Sequence, residues 1–416
     1  MKERAILVTV DFYSVRRASE MKDLAAELAE LSAGAGLEVA GDFVFKQDSP
    51  NSAIFLGKGQ ADKIRLETLK KKANVVVFES DLSPSQQRNL EEILGVKTID
   101  RTQLILDIFA RRARSTEGKL QVELAQMKYL LPRLGGQGIY LSRLGGGVGT
   151  RGPGEQKLEV DRRRIREKIT KYTHDLADLQ QKRQTAIMKK KEKDLPLVAL
   201  VGYTNAGKSS LFNRLTDAET LVKNQLFSTL DTTTRLVNLP GNQKALLVDT
   251  VGFIRDLPHH LVESFKATLE ETVSADILLH VADVTRPDLD IVEEAVQKVL
   301  DDIGASGKKT FLVLNKADLL EAGKNTGLRA FLEAKNVFLV SSKTGAGLPD
   351  LLSAVAGCLP VERYEKEIFI PRKSFRLTDF VHREAEVLER RDEPEGAYFR
   401  VRISRKAEEM LRKNLP

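Results

Sequence analysis

A single cysteine in 416 residues, Cys358, excludes an internal disulfide framework and any cysteine-rich metal site. A lone thiol of this kind reads as a small buried hydrophobe. Five histidines are scattered without an HExxH or similar ligand pattern, although His259 and His260 are adjacent. No apolar run approaches the roughly 18 residues of a membrane span. The opening "MKERAILVTVDFYS" reads as a strand whose short apolar stretch meets Asp11 at once, so no secretory signal is expected there. These absences point to a cytoplasmic protein with no membrane span. With 42% hydrophobic and 30% charged residues, the chain can bury a core for each of two to four domains.

Acidic residues are missing from one place in particular: there is none from Leu124 to Gly154. Residues 101–194 hold 22 Lys/Arg against 11 Asp/Glu, a balance of +11. Since the whole chain is +7, the remainder carries −4. Concentrated basicity fits a phosphate-rich partner. Nine of the 28 glycines fall in 135–154, alongside Arg143 and Arg151. Glycine admits close backbone approach, and arginine supplies forked donors for phosphate. Arg133, Arg143 and Arg151 are therefore candidate RNA contacts.

Four segments follow from the patterning. Residues 1–100 alternate strands (5–10, 43–45, 53–57, 74–80) with helices (19–34, 59–72), the rhythm of an α/β domain with a largely parallel sheet. Residues 101–194 carry helical seams at Leu120, Leu124, Met127, Leu131 and at Ile165, Ile169, Tyr172, Leu176, Leu179. They read as two long helices in a hairpin with a Gly/Arg-rich tip loop. Residues 195–358 form a third unit. Residues 359–416 form a small α+β domain, with strands at 367–371 and 397–404 and helices at 380–390 and 405–413.

The third unit carries the chemistry. Gly202-Tyr203-Thr204-Asn205-Ala206-Gly207-Lys208-Ser209 matches GxxxxGK[ST] between the apolar strand 197–201 and an amphipathic helix that takes in Ser210. Such a loop cradles phosphates with its N–H groups, its lysine reaches the β/γ-phosphates and its serine binds Mg²⁺. Asn315-Lys316-Ala317-Asp318 follows a strand 107 residues after Lys208 and reads guanine: the Asp318 carboxylate can accept from N1–H and the exocyclic amine, a fit adenine denies it. Ser341-Ser342-Lys343 matches the last base-contacting loop. Asp249-Thr250-Val251-Gly252 is a DxxG turn, with Asp249 on Mg²⁺ through water and Gly252 N–H on the γ-phosphate. The first switch lies in 226–235, so Phe227, Ser228, Thr229, Leu230 and Asp231 join the nucleotide set. Thr229 is taken as the Mg²⁺ threonine, with Thr232, Thr233 and Thr234 as rivals. Lys208, Thr229 and Gly252 are the candidate catalytic groups. Asn205 adds the expectation of a potassium ion beside the phosphates, against the alternative that it only suits the loop's backbone. Where Ras-like enzymes often carry a water-orienting glutamine, Phe253 stands here and has no hydrogen-bonding group.

With these motifs in place the chain resembles the HflX family of translation-associated GTPases, over essentially its whole length. GYTNAGKSSLFN, FSTLDTTTR, DTVGFIRDLP and NKAD carry the likeness, together with LSPSQQRNLE (82–91), DRTQLILDIFARRARSTEGKLQVELAQ (100–126) and GGGVGTRGPGE (145–155). The last two separate it from the Era and Obg GTPases. A phenylalanine after DTVG is usual in that family. The resemblance implies a P-loop GTPase domain, with a mostly parallel sheet and helices on both faces. It also implies a GTPase that binds the large ribosomal subunit and its RNA through the hairpin tip and splits stalled or idle ribosomes. The expected ligands are GTP or GDP with Mg²⁺, and the free protein is expected to be a monomer. Two other readings stay open. One is an assembly or storage factor that binds ribosomes without splitting them. The other is an RNA-modification GTPase, which would need a cofactor or nucleophile site that Cys358 does not supply.

Overall fold

A computed structural model describes residues 3–12, 18–134, 153–191, 195–216, 227, 232–255, 269–320, 336–360, 363–374 and 376–414. The described chain divides into two units: one up to Gln180 together with Phe227, the other from Gln181 onward.

In the first unit, strands β1 (Arg4–Phe12), β2 (Glu38–Gln47), β3 (Val75–Phe78) and β4 (Lys97–Asp100) form a parallel sheet in the order β2-β1-β3-β4. The central residues of β1 and all of β3 are buried, as expected of strands covered on both faces. Helices α1 (Ala18–Gly34), α2 (Lys58–Lys71) and α3 (Pro84–Leu94) alternate with the strands. The start of α3 is written locally: Ser83 and Gln86 form a capping box around Pro84. Residues 53–57, expected as a strand, are instead a turn. Asn51 Oδ1 accepts from Ala53 N and Ile54 N, and Phe55 takes φ 63°. The turn wins because it buries Ile54, Phe55 and Leu56 together in one core, whereas a strand would alternate them.

The basic segment continues with α4 (Arg101–Arg112), α5 (Thr116–Arg133) and α6 (Pro153–Lys191). The expected first long helix of the hairpin is thus two, divided where Ser115 Oγ caps Gly118 N at 2.9 Å. Leu124 and Leu176 of the two seams are buried, and the other seam residues are partly buried. Tyr172 of α6 hydrogen-bonds Glu123 of α5, which raises the phenol pKa.

In the second unit, β5 (Leu197–Val201), β6 (Thr233–Leu239), β7 (Gln243–Asp249), β8 (Ile277–Asp283), β9 (Lys309–Asn315) and β10 (Val337–Leu339) lie in the order β10-β9-β8-β5-β7-β6, with only β6 antiparallel. Alternate residues Val198, Leu200, Leu279, Val281 and Val313 pack with Leu211 and Phe212 of α7 (Lys208–Thr216) and Leu351 and Val355 of α9 (Leu348–Cys358). Ala282, Leu312 and Leu314 pack instead with Leu289 of α8 (Leu289–Asp302). Cys358, expected to be buried, ends α9 exposed.

The tail is an antiparallel sheet, β11 (Arg363–Pro371), β12 (Glu386–Glu393) and β13 (Gly396–Ser404), in the order β11-β13-β12, with α10 (Arg376–Glu384) and α11 (Arg405–Asn414). The helix expected over 380–390 stops at Glu384. Beyond it, Val387 pairs with Val401 in the sheet, and cross-strand burial outweighs the helical patterning. This tail grips the β6–β7 turn. Asn242 Nδ2 donates to His382 O at 2.7 Å and Ala385 O at 2.8 Å, and Lys244 pairs with Glu384 at 3.1 Å. Among the described residues no helix is long and apolar enough to cross a membrane.

Candidate nucleotide site

The loop between β5 and α7 is built for close approach. Gly207 has φ +94°, and a Cβ there would stand 2.3 Å from Asn315 Nδ2, so glycine is required. Asn205 takes φ 63°, a left-handed conformation that asparagine tolerates better than most residues. Lys208 Nζ is buried and donates to Gly202 O at 2.9 Å and Tyr203 O at 2.8 Å. Burial pulls its pKa down to about 8, opposed by the Asp249 carboxylate. Ser209 Oγ donates to Asp249 Oδ2 at 2.7 Å, joining the first helical turn to the end of β7. Thr250 is spent on the scaffold, its hydroxyl donating to Leu200 O at 2.6 Å. Val251 is buried beside it.

The DxxG turn lies directly on this loop. Phe253 N donates to Gly202 O at 3.0 Å, and Thr204 N donates to Phe253 O at 2.8 Å. A Cβ on Gly252 would meet Thr204 Cγ2 at 2.8 Å. The Phe253 side chain is 2% exposed.

The residues expected to read the base come from two loops, after β9 and after β10. Asn315 is fully buried; its Nδ2 donates to Ala206 O at 3.0 Å and its Oδ1 accepts from Ser342 N at 3.0 Å. It therefore ties the phosphate loop to the last loop. Lys316, at φ 67°, pairs with Asp283 at 2.6 Å. Ala317 N donates to Val340 O at 3.1 Å. The Ser341 hydroxyl donates to Asp318 Oδ1 at 2.6 Å; this bond, with lesser help from Lys343 and Lys316, lowers the carboxyl pKa and keeps it an acceptor. Lys343 itself is exposed. An ionised acceptor held by the serine of the following loop suits guanine's paired donors.

The chain matches three families in succession: one described as GTP-binding GTPase N-terminal over 22–110, one as GTP-binding GTPase Middle Region over 112–190, and one as 50S ribosome-binding GTPase over 197–316. It is 45% identical over 414 residues to GTPase HflX of Caldanaerobacter subterraneus subsp. tengcongensis, covering 99% of this chain and 93% of that protein. The chain belongs to the HflX GTPase family. GTPase HflX of Escherichia coli K12 is 43% identical over 375 residues, 90% of this chain and 87% of that one. A solved GTP-binding protein of Sulfolobus solfataricus, in complex with GDP, is 26% identical, covering 86% of this chain and 99% of that one at a TM-score of 0.45. As an HflX GTPase the protein binds GTP, and GTP hydrolysis is its expected activity.

The structure brings Gly202 to Ser210, Asp249 to Gly252, Asn315 to Asp318 and Ser341 to Lys343 into one unit at the carboxyl ends of its parallel strands. Ser228, Thr229, Leu230, Asp231, Arg143 and Arg151 lie outside the described residues. Two of the expected residues have contacts of another kind in the structure. Phe227 is 2% exposed, with its ring edge-on to Phe109 of α4 at 4.6 Å, so its side chain is spent on packing in the first unit. Arg133 is engaged within the first unit. Its guanidinium donates to Gln87 Oε1, Leu82 O, Tyr129 O and Asp100 Oδ2, because Asp100 is buried and needs a cation. Sequence reading missed the contacts of Arg255 and Asp288. Arg255 lies within the DTVGFIR string, but nothing in the sequence marks Asp288 as its partner.

Proposed function

We propose that this HflX-family GTPase binds GTP with Mg²⁺ in the cytoplasm, associates as a monomer with the large ribosomal subunit, and uses the GTP cycle to split or remodel stalled and idle ribosomes. Four segments serve this: 1–100, the basic hairpin 101–194, the GTPase domain 195–358 and the tail 359–416. The observation that carries the proposal is the phosphate loop joined to the DxxG turn through Ser209 and Asp249, within residues 197–316 that match a family described as ribosome-binding, with Asp318 and Ser341 paired just beyond it.

The site's donors fit a hard cation. The Ser209 hydroxyl and the Asp249 carboxylate are 2.7 Å apart and buried. Magnesium sites of this kind take one or two protein oxygens and complete the shell with water and phosphate oxygens. Ser209 would hold Mg²⁺ directly, Asp249 through water, and Thr229 from the first switch. When bound, the ion neutralises charge on the β- and γ-oxygens. Lys208 supplies the cation of the loop, and the Gly252 N–H supplies a γ-phosphate donor. Phe253 offers neither donor nor acceptor in its side chain, so turnover is slow until a partner orders the switches or contributes a group. Arg143 and Arg151 mark the loop that meets ribosomal RNA. A potassium ion beside Asn205 would assist; unequal turnover in potassium and sodium buffers of equal ionic strength supports it, and equal rates remove it.

Sucrose-gradient profiles of intact ribosomes, incubated with the protein and GTP or a non-hydrolysable analogue, test the proposal. Conversion to free subunits is expected. Co-migration without conversion would favour an assembly or storage role instead.

A further inference from the structure

The backbone after Asp249 is bound to the phosphate loop by a short parallel bridge between residues 253 and 203, made by the Phe253 N to Gly202 O and Thr204 N to Phe253 O bonds. The bridge brings Gly252 against the ammonium that such a loop aims at phosphate: a Cβ there would stand 3.0 Å from Lys208 Nζ. Lys208 itself donates to two carbonyls of the loop. The γ-phosphate is the part of the nucleotide that switch loops respond to. On the roles proposed above for Gly252 and Lys208, it enters where these two residues meet.

What holds the bridge lies just downstream. Arg255 N donates to Tyr203 Oη at 3.0 Å, and the Arg255 guanidinium forms a buried ion pair with Asp288. Asp288 heads α8, whose Leu289, Val292, Val296 and Leu300 are buried, so it is a fixed point of the domain. Its carboxylate also takes two bonds from Arg286, Nε to Oδ1 at 2.9 Å and Nη2 to Oδ2 at 2.8 Å. Arg286 in turn lies 5.2 Å over the Tyr203 ring. Burial opposes the charge on Asp288, yet Arg286 and Arg255 together hold its pKa below the ordinary value. Breaking a buried pair normally strands a charge. Arg286 stays on Asp288 when Arg255 departs, so this pair can open without leaving the carboxylate alone.

We propose that Asp288, acting through Arg255, is a specificity-determining residue for the nucleotide's phosphate count: it holds residues 252–255 on the phosphate loop and so favours diphosphate over triphosphate. This rests on guanine-nucleotide binding at the site and is independent of any ribosomal partner. A state that must open before the triphosphate binds lowers its apparent affinity by the fraction of molecules open. The diphosphate makes no such demand.

Equilibrium binding of fluorescent GDP and of its β,γ-imido triphosphate counterpart, with Mg²⁺ on the full chain, tests it. Asp288→Asn and Arg255→Met are each expected to raise triphosphate affinity relative to GDP by at least about fivefold, with GDP affinity held within about twofold. Arg255→Met retains the Arg286–Asp288 pair and so guards against loss of folding. Tyr203→Phe, which removes only the hydroxyl that accepts from Arg255 N, is expected to move the ratio in the same direction. A merely structural role would lower both affinities or the melting temperature without moving the ratio, and would overturn the proposal. So would a fall in triphosphate affinity for Arg255→Met, which would put the guanidinium on the phosphates themselves.

Discussion

The Ser341 hydroxyl holds Asp318 Oδ1 at 2.6 Å, joining the carboxylate expected to read guanine to the loop after β10. The same serine oxygen accepts from Thr344 N at 3.1 Å, so the turn that follows is set by the residue that orients the carboxylate.

Asp318→Asn replaces a paired acceptor with a donor facing guanine's own donors. GTP affinity is expected to fall by at least about a hundredfold, since the charge-assisted hydrogen bonds to guanine's donors are lost and those donors are left unpaired. Xanthosine triphosphate, which presents an acceptor where guanine has its amine, is expected to regain affinity. Wild-type GTP binding by this variant would remove the assignment of residues 315–318.

His280 on β8 is buried, and its Nε2 has no hydrogen-bond partner among the described residues. Burial first, and the charge of Lys208 second, lower its pKa to about 4. The unfolded chain takes up this proton near 6.5, so between 6.5 and 4 the unfolded state binds more protons than the folded one. Stability is therefore full above about 6.5 and is lost as pH falls toward 4, by about 3 kcal/mol from this group alone. Urea unfolding of wild type and His280→Leu at pH 7 and pH 4.5 measures it. The variant is expected to lose distinctly less on acidification, and parallel losses would refute the account.

Asn242 takes φ 54° at the β6–β7 turn and donates to two carbonyls of the tail. Asn242→Gly keeps that backbone geometry and removes only the side chain. A loss of about 0.5–1.5 kcal/mol is expected from the two lost hydrogen bonds. Earlier proteolysis of residues 363–414 should accompany it. An unchanged melting curve and digestion pattern would show the grip to be unimportant.

Deleting 140–153 removes Arg143 and Arg151 and much of the glycine-rich run. Large subunits are expected to raise wild-type GTP turnover at least about tenfold, since ordering and electrostatics supply most of the catalysis of phosphoryl transfer. The deletion is expected to lose most of that stimulation while keeping its intrinsic rate. Fast turnover by the wild type alone, or full stimulation of the deletion, would each count against the reading.

The phosphate loop, the DxxG turn and the guanine-reading string were legible because each is a contiguous run whose own backbone carries the function. Gly207 and Asn205 need particular φ values, Lys208 follows them in the chain, and those demands appear as residue types at set spacing. The strands flanking them were legible for the same reason, with β5 lying on 197–201 as read. Other features depended on partners that the chain brings together from far away. Arg133 looked free for RNA until Asp100, 33 residues off, was found buried beside it. Residues 386–390 suited a helix until β13 offered Val401 for Val387 to pack beside. Arg255 and Asp288, also 33 residues apart, meet only because β8 leads α8 back past the phosphate loop. A local string states what its own backbone must do. The neutralisation of a buried charge, or the choice between two burials for one apolar residue, is decided by whichever distant groups the fold places within reach.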